Sequence, residues 1–148
     1  MFRGVAMPQW QDLLHQGNDN FHNKQWKQAE YCYKEAASHL DSLWSANPKN
    51  VELLMAWICA IHNLSSLFEV QDKAELSLQY LKIPHERMLS IYQCNKYCED
   101  TKLIAQNALK ITFMPILMFS KRHPVCDTCT QSLAAFQSEI ALNQQIIH

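Results

Sequence analysis

Residues 17–36 read GNDNFHNKQWKQAEYCYKEA, a stretch that sets Gly17 and Asn18 ahead of Phe21, Trp26, Ala29, Tyr33 and Ala36. From Trp26 onward, Ala29, Tyr33, Ala36, Leu40 and Leu43 step by three or four residues, which is one face of a helix. The Asn47-Pro48 pair is a stop signal, so this helix is predicted to end near Ala46. Upstream, Pro8 suits a first helical turn, and Trp10, Leu13, Leu14 and Phe21 give an apolar side to a helix reaching about Asn23. Gly17 falls inside that helix, where glycine costs about 1 kcal/mol relative to alanine. With only Gly4 and Gly17 in the chain, the second is expected to permit close approach of two helices.

The same reading extends downstream. Asn50 is placed to cap a third helix with Val51, Leu54, Trp57 or Ile58, Ile61, Leu64 and Phe68 on a broad apolar face. A fourth helix, with Ala74, Leu78 and Leu81, is expected to stop at or before Ile83-Pro84. Met88, Leu89 and Tyr92 would start a fifth, continuing through Cys98, Ala105, Leu109, Thr112 and Ile116. Pro124 and its polar neighbours mark a loop, after which Thr128 would cap a last helix carrying Leu133, Phe136, Ile140 and Ile147. No stretch alternates with period two, so no strand is predicted.

Composition narrows the function. The 148 residues suit one domain, residues 1–148, and are 48% hydrophobic and 18% charged, which argues against a disordered tail. A formal charge of −1 gives no electrostatic case for nucleic acid. The N-terminus has no signal-peptide core, and the longest apolar run, Ile111 to Phe119, falls short of the roughly 20 residues that span a bilayer. The expectation is a cytoplasmic protein with no membrane partner, whose six cysteines are thiols or metal ligands.

The opening hairpin resembles a tetratricopeptide repeat. That family sets a glycine and asparagine in its first helix, an aromatic after them and a second aromatic at the turn. Its second helix carries alanine, aromatic and alanine in order. Gly17, Asn18, Phe21, Trp26, Ala29, Tyr33 and Ala36 fill these places without a gap. Leu13 stands where the family has tryptophan, Gln16 where it has leucine, and Pro48 comes seven residues late. The resemblance covers a hairpin over residues 10–46. A degenerate second hairpin over 50–83 follows only if Ala74 takes the place of Ala29 and His62 that of Gly17, and residues 85–148 show helical periodicity alone.

What the resemblance implies is an all-α fold of six or seven antiparallel helices, stacked as a short solenoid or bundle with a C-terminal capping helix. It also implies a non-enzymatic adaptor or chaperone-like module that takes a peptide or helix of a partner protein in a helical groove. Groove candidates are Leu14, Asn18 and His22, with His62 and Ser65 in the second hairpin. A subset of the family grips a terminal carboxylate with a lysine where this chain has Leu14, so no such site is expected. Homo-oligomers are a second expectation, with Ile111–Phe119 as a candidate surface.

The alternative class rests on thiols. Cys32 and Cys59 read as small core residues. Cys94 and Cys98, four apart on an expected helix, could join Cys126 and Cys129, with His123 nearby, in a zinc site that also admits a redox reading. No phosphate loop, dinucleotide fingerprint or nucleophile elbow occurs. No cofactor is expected apart from that zinc.

Overall fold

The computed structural model describes residues 9–123, and every regular element in them is helical. These are α1 (Gln9–His22), α2 (Trp26–Ala46), α3 (Val51–Val70), α4 (Ala74–Gln93) and α5 (Glu99–Arg122). The protein is all-α, as its periodicity predicts. The expected last helix, with Leu133, Phe136, Ile140 and Ile147, lies outside the described residues.

Local chemistry sets the boundaries. Asn50 caps α3 as anticipated, its side chain accepting a hydrogen bond from the Leu53 N–H at 3.1 Å. α2 ends at Asn47, whose N–H returns to the Trp44 carbonyl at 2.9 Å. Two other junctions use one device. Lys24, between α1 and α2, has φ 59°, and Asp72, between α3 and α4, has φ 61°. At the first, Gln25 N–H donates to Asn20 C=O (2.8 Å) and Lys24 N–H to Phe21 C=O (3.0 Å). At the second, Lys73 N–H donates to Phe68 C=O (2.9 Å) and Asp72 N–H to Glu69 C=O (3.0 Å). Both are Schellman motifs, which satisfy helix-end carbonyls by turning one residue left-handed.

The expected stop at Pro84 is corrected: α4 runs through it to Gln93, so the fourth helix and the start of the fifth are one element. Proline removes one N–H, here the one that would serve the Tyr80 carbonyl, but its ring is buried and the helix continues. The break comes instead at 94–98. Pro115, half-buried, lies inside α5, as the expected continuation of the fifth helix through Ile116 requires.

The chain divides into two compact units, Met1–Tyr80 and Leu81–His148, where length alone suggests one domain. The boundary lies within α4, one residue past the carbonyl that Pro84 leaves unserved. In the first unit α2 packs on both α1 and α3. Its core takes Ala29, Tyr33, Ala36, Leu40 and Trp44 from α2 and Leu54, Trp57, Ile58, Ile61, Leu64, Leu67 and Phe68 from α3. Each such leucine or isoleucine contributes roughly 2 kcal/mol of burial. In the second unit Leu81, His85, Met88 and Ile91 of α4 and Ala105, Ala108, Leu109, Thr112, Phe113, Ile116 and Phe119 of α5 are buried.

By length and composition α3 and α5 could each cross a membrane. In α3 that property has another origin, since most of its apolar residues are core of the first unit.

Candidate functional site

The opening hairpin is built around a missing side chain. A Cβ on Gly17 would stand 2.6 Å from Tyr33 Cε1 and 2.8 Å from Cδ1, so only glycine lets the Tyr33 ring lie against α1. The Tyr33 hydroxyl then donates to Asn18 Oδ1 at 2.7 Å. Burial, followed by the nearby thiols of Cys59 and Cys32, pushes the Tyr33 pKa up to about 12, so the phenol stays protonated and the bond persists. Phe21 meets Trp26 edge-on across the turn, ring centroids 5.6 Å apart, while Ala29 and Ala36 are fully buried.

That packing turns one side of α1 outward. Asn18 and His22 are exposed and Leu14 is half-buried. Asn18 accordingly does two things: it receives the Tyr33 hydroxyl and it sits at the surface beside Leu14.

The second hairpin keeps the scheme in a different register from the one expected. The left-handed turn residues Lys24 and Asp72 lie 48 residues apart, where pairing Ala74 with Ala29 sets 45. Gly17 then corresponds to Ser65, Ala29 to Ser77 and Leu14 to His62. Ser65 Oγ donates to the Ser77 carbonyl at 2.9 Å and lies 2.8 Å from Ser77 Oγ, both residues being buried. Ser65 is therefore removed from the groove candidates and becomes the small residue at the crossing. Its sequence signal was present: Ser65 and Ser77 are separated by twelve residues, as are Gly17 and Ala29. Ser66, exposed, takes the place equivalent to Asn18.

His62 stays on the equivalent face, largely covered. Its Nε2 is buried with no hydrogen-bond partner among the described residues, and burial lowers its pKa. Cys59, one helical turn before it, is exposed and not the core residue expected, although partial burial of its thiol raises its pKa. Cys32 is buried, with the Asn20 amide 3.8 Å from its sulfur.

The structure corrects one premise of the zinc alternative, the shared helix face of its first cysteine pair. Cys94 and Cys98 do not share a helix face: Cys94 follows α4, and Cys98 is the N-cap residue of α5, its sulfur 3.3 Å from Thr101 Oγ1. His123 caps the opposite end of α5, whose 24 residues extend about 36 Å. Cys126 and Cys129 lie outside the described residues, while Cys98 and His123 stand at opposite ends of α5. Among the described residues no three His, Cys, Asp or Glu side chains gather to hold a metal.

The described residues line open depressions. One, of about 500 Å³, follows the second turn along Asp72–Glu75, Leu76 and Gln79; another, of about 450 Å³, is lined by Tyr92, Glu99, Asp100, Lys102, Leu103 and Gln106. Neither gathers a histidine with a carboxylate.

Fold and site together define an all-α protein whose first unit opens with a close-packed helical hairpin. The chain belongs to the family described as protein of unknown function (DUF2753), whose model matches residues 8–148. No curated protein and no solved structure matches it.

Proposed function

We propose that the chain is a non-enzymatic protein-interaction module of tetratricopeptide-like construction, an adaptor that holds a peptide or helix of a partner protein. The observation that carries this reading is the pair of hairpins closed by the same turn 48 residues apart, each with small residues at its helix crossing. Repeated hairpins present equivalent residues side by side, which is how helical repeats make an extended recognition face. Leu14, Asn18 and His22 on α1 and His62 and Ser66 on α3 are the residues so presented. Leu14 supplies apolar contact, and the Asn18 amide can hydrogen-bond a peptide backbone. The unpartnered His62 Nε2 offers a further buried polar atom for a partner to satisfy.

The test is affinity capture from the native cell with the unaltered chain, Leu14→Glu and Asn18→Ala, each checked for helix content. The reading expects one set of partners that Leu14→Glu loses and Asn18→Ala retains weakly. Equal capture by all three proteins overturns it.

A further inference from the structure

α5 carries a face that the core of its unit does not use. Leu103, Ile111, Met114 and Met118 are 52%, 47%, 53% and 45% exposed, and their spacing of eight, three and four residues places them along one side of the helix. Asn107, also exposed, completes the row, and Lys110 stands at its edge. The first turn of α5 is acidic, with Glu99 and Asp100, and the last is basic, with Lys121 and Arg122.

The ends and the row share one centre. Glu99 and Arg122, Asp100 and Lys121, Leu103 and Met118, Asn107 and Met114 are each equidistant from the midpoint between Lys110 and Ile111. A twofold axis through that midpoint would bring an antiparallel copy of α5 into register along the whole row. Each acidic turn would meet a basic one, Leu103 would meet Met118, Met114 the Asn107 amide and Ile111 the aliphatic stem of Lys110, and the two helix dipoles would oppose. A face of this kind is complementary to itself.

We propose that α5 forms a twofold-symmetric, antiparallel contact with α5 of a second copy of the chain. The face, roughly 30 Å by 10 Å, buries about 300 Å² per copy, well below a standard interface, so the dimer is weak and depends on concentration. This proposal does not rest on the groove on α1 and α3.

The experiment is sedimentation equilibrium of the full chain from micromolar to near-millimolar concentration. Met114→Glu, an exposed position whose change leaves the helices intact by circular dichroism, is expected to abolish association. Lys121→Glu sets like charges against Asp100 of the copy at both symmetric ends and is expected to weaken it about tenfold. Asp100→Lys combined with Lys121→Glu restores the opposed signs and is expected to recover the original constant. A chain that stays monomeric overturns the proposal, as does a dimer indifferent to Met114→Glu or a charge reversal that the double variant does not rescue. Monomer with Met114 protected from oxidation would assign the face to residues 124–148. Monomer that binds lipid vesicles through Met114 would assign it to a membrane.

Discussion

The ring of Tyr33 rests on the bare α-carbon of Gly17, close enough that an added Cβ would stand 2.6 Å from Cε1. The same side chain reaches on to Asn18 with its hydroxyl. One aromatic thus fixes both the separation and the register of α1 on α2. Gly17→Ala should therefore destabilise the chain by about 2 kcal/mol in urea unfolding, although alanine is the better helix former by about 1 kcal/mol. In a Tyr33→Ala background the same change should become neutral or stabilising. Tyr33→Phe should cost only about 1 kcal/mol, the net value of a hydrogen bond.

The two left-handed turn residues are neither glycine nor asparagine. Lys24→Gly and Asp72→Gly should each raise stability by about 1 kcal/mol, because a side chain at positive φ carries a steric cost that glycine lacks. Equal gains at both positions would support the equivalence of the turns; a loss at either would contradict it.

Ser65 is a crossing residue, and its substitutions should behave accordingly. Ser65→Ala leaves the buried Ser77 hydroxyl short of a partner and should cost about 1–2 kcal/mol. Ser65→Ala with Ser77→Ala should cost less than the sum of the single changes, since both polar partners leave together. Thermal or urea unfolding of the four proteins measures the coupling.

His85 is fully buried, its Nδ1 2.9 Å from Thr112 Oγ1, and Thr112 donates to the Leu109 carbonyl at 3.2 Å. With the hydroxyl proton so committed, Nδ1–H is the donor to Thr112. Burial pushes the His85 pKa down to about 4 from 6.5. The folded state thus binds fewer protons than the unfolded one between these values. Stability should be full above pH 6.5 and fall by up to about 3 kcal/mol as pH drops through 4. His62, lowered in the same direction, adds to the trend. Unfolding midpoints against pH should flatten in His85→Leu; an unchanged slope would contradict the assignment.

The helices were legible because their signals are local: the three-and-four stepping of α2, the Asn50 cap and the Asn47-Pro48 stop act within a turn of themselves. The Gly17 contact was legible too, since a glycine in a chain nearly without them demands a reason. What misled was proline. Pro84 marks a break by propensity, yet α4 runs past it with the Pro84 ring buried. The second hairpin was displaced by three residues because serine can serve as the small crossing residue only by having its hydroxyl satisfied, and Ser77 supplies that from the other helix. Likewise, no spacing rule shows that Cys98 and His123 stand at opposite ends of one helix. That follows only once α5 is seen unbroken.

Hydrogen–deuterium exchange of the chain with and without its captured partner tests the adaptor reading most directly. The account predicts slowed exchange along α1 from Leu14 to His22 and along α3 from His62 to Ser66, with the α5 face of Leu103 and Met114 unaltered. Protection confined to α5, or none on α1 and α3 while the partner remains bound, would contradict it.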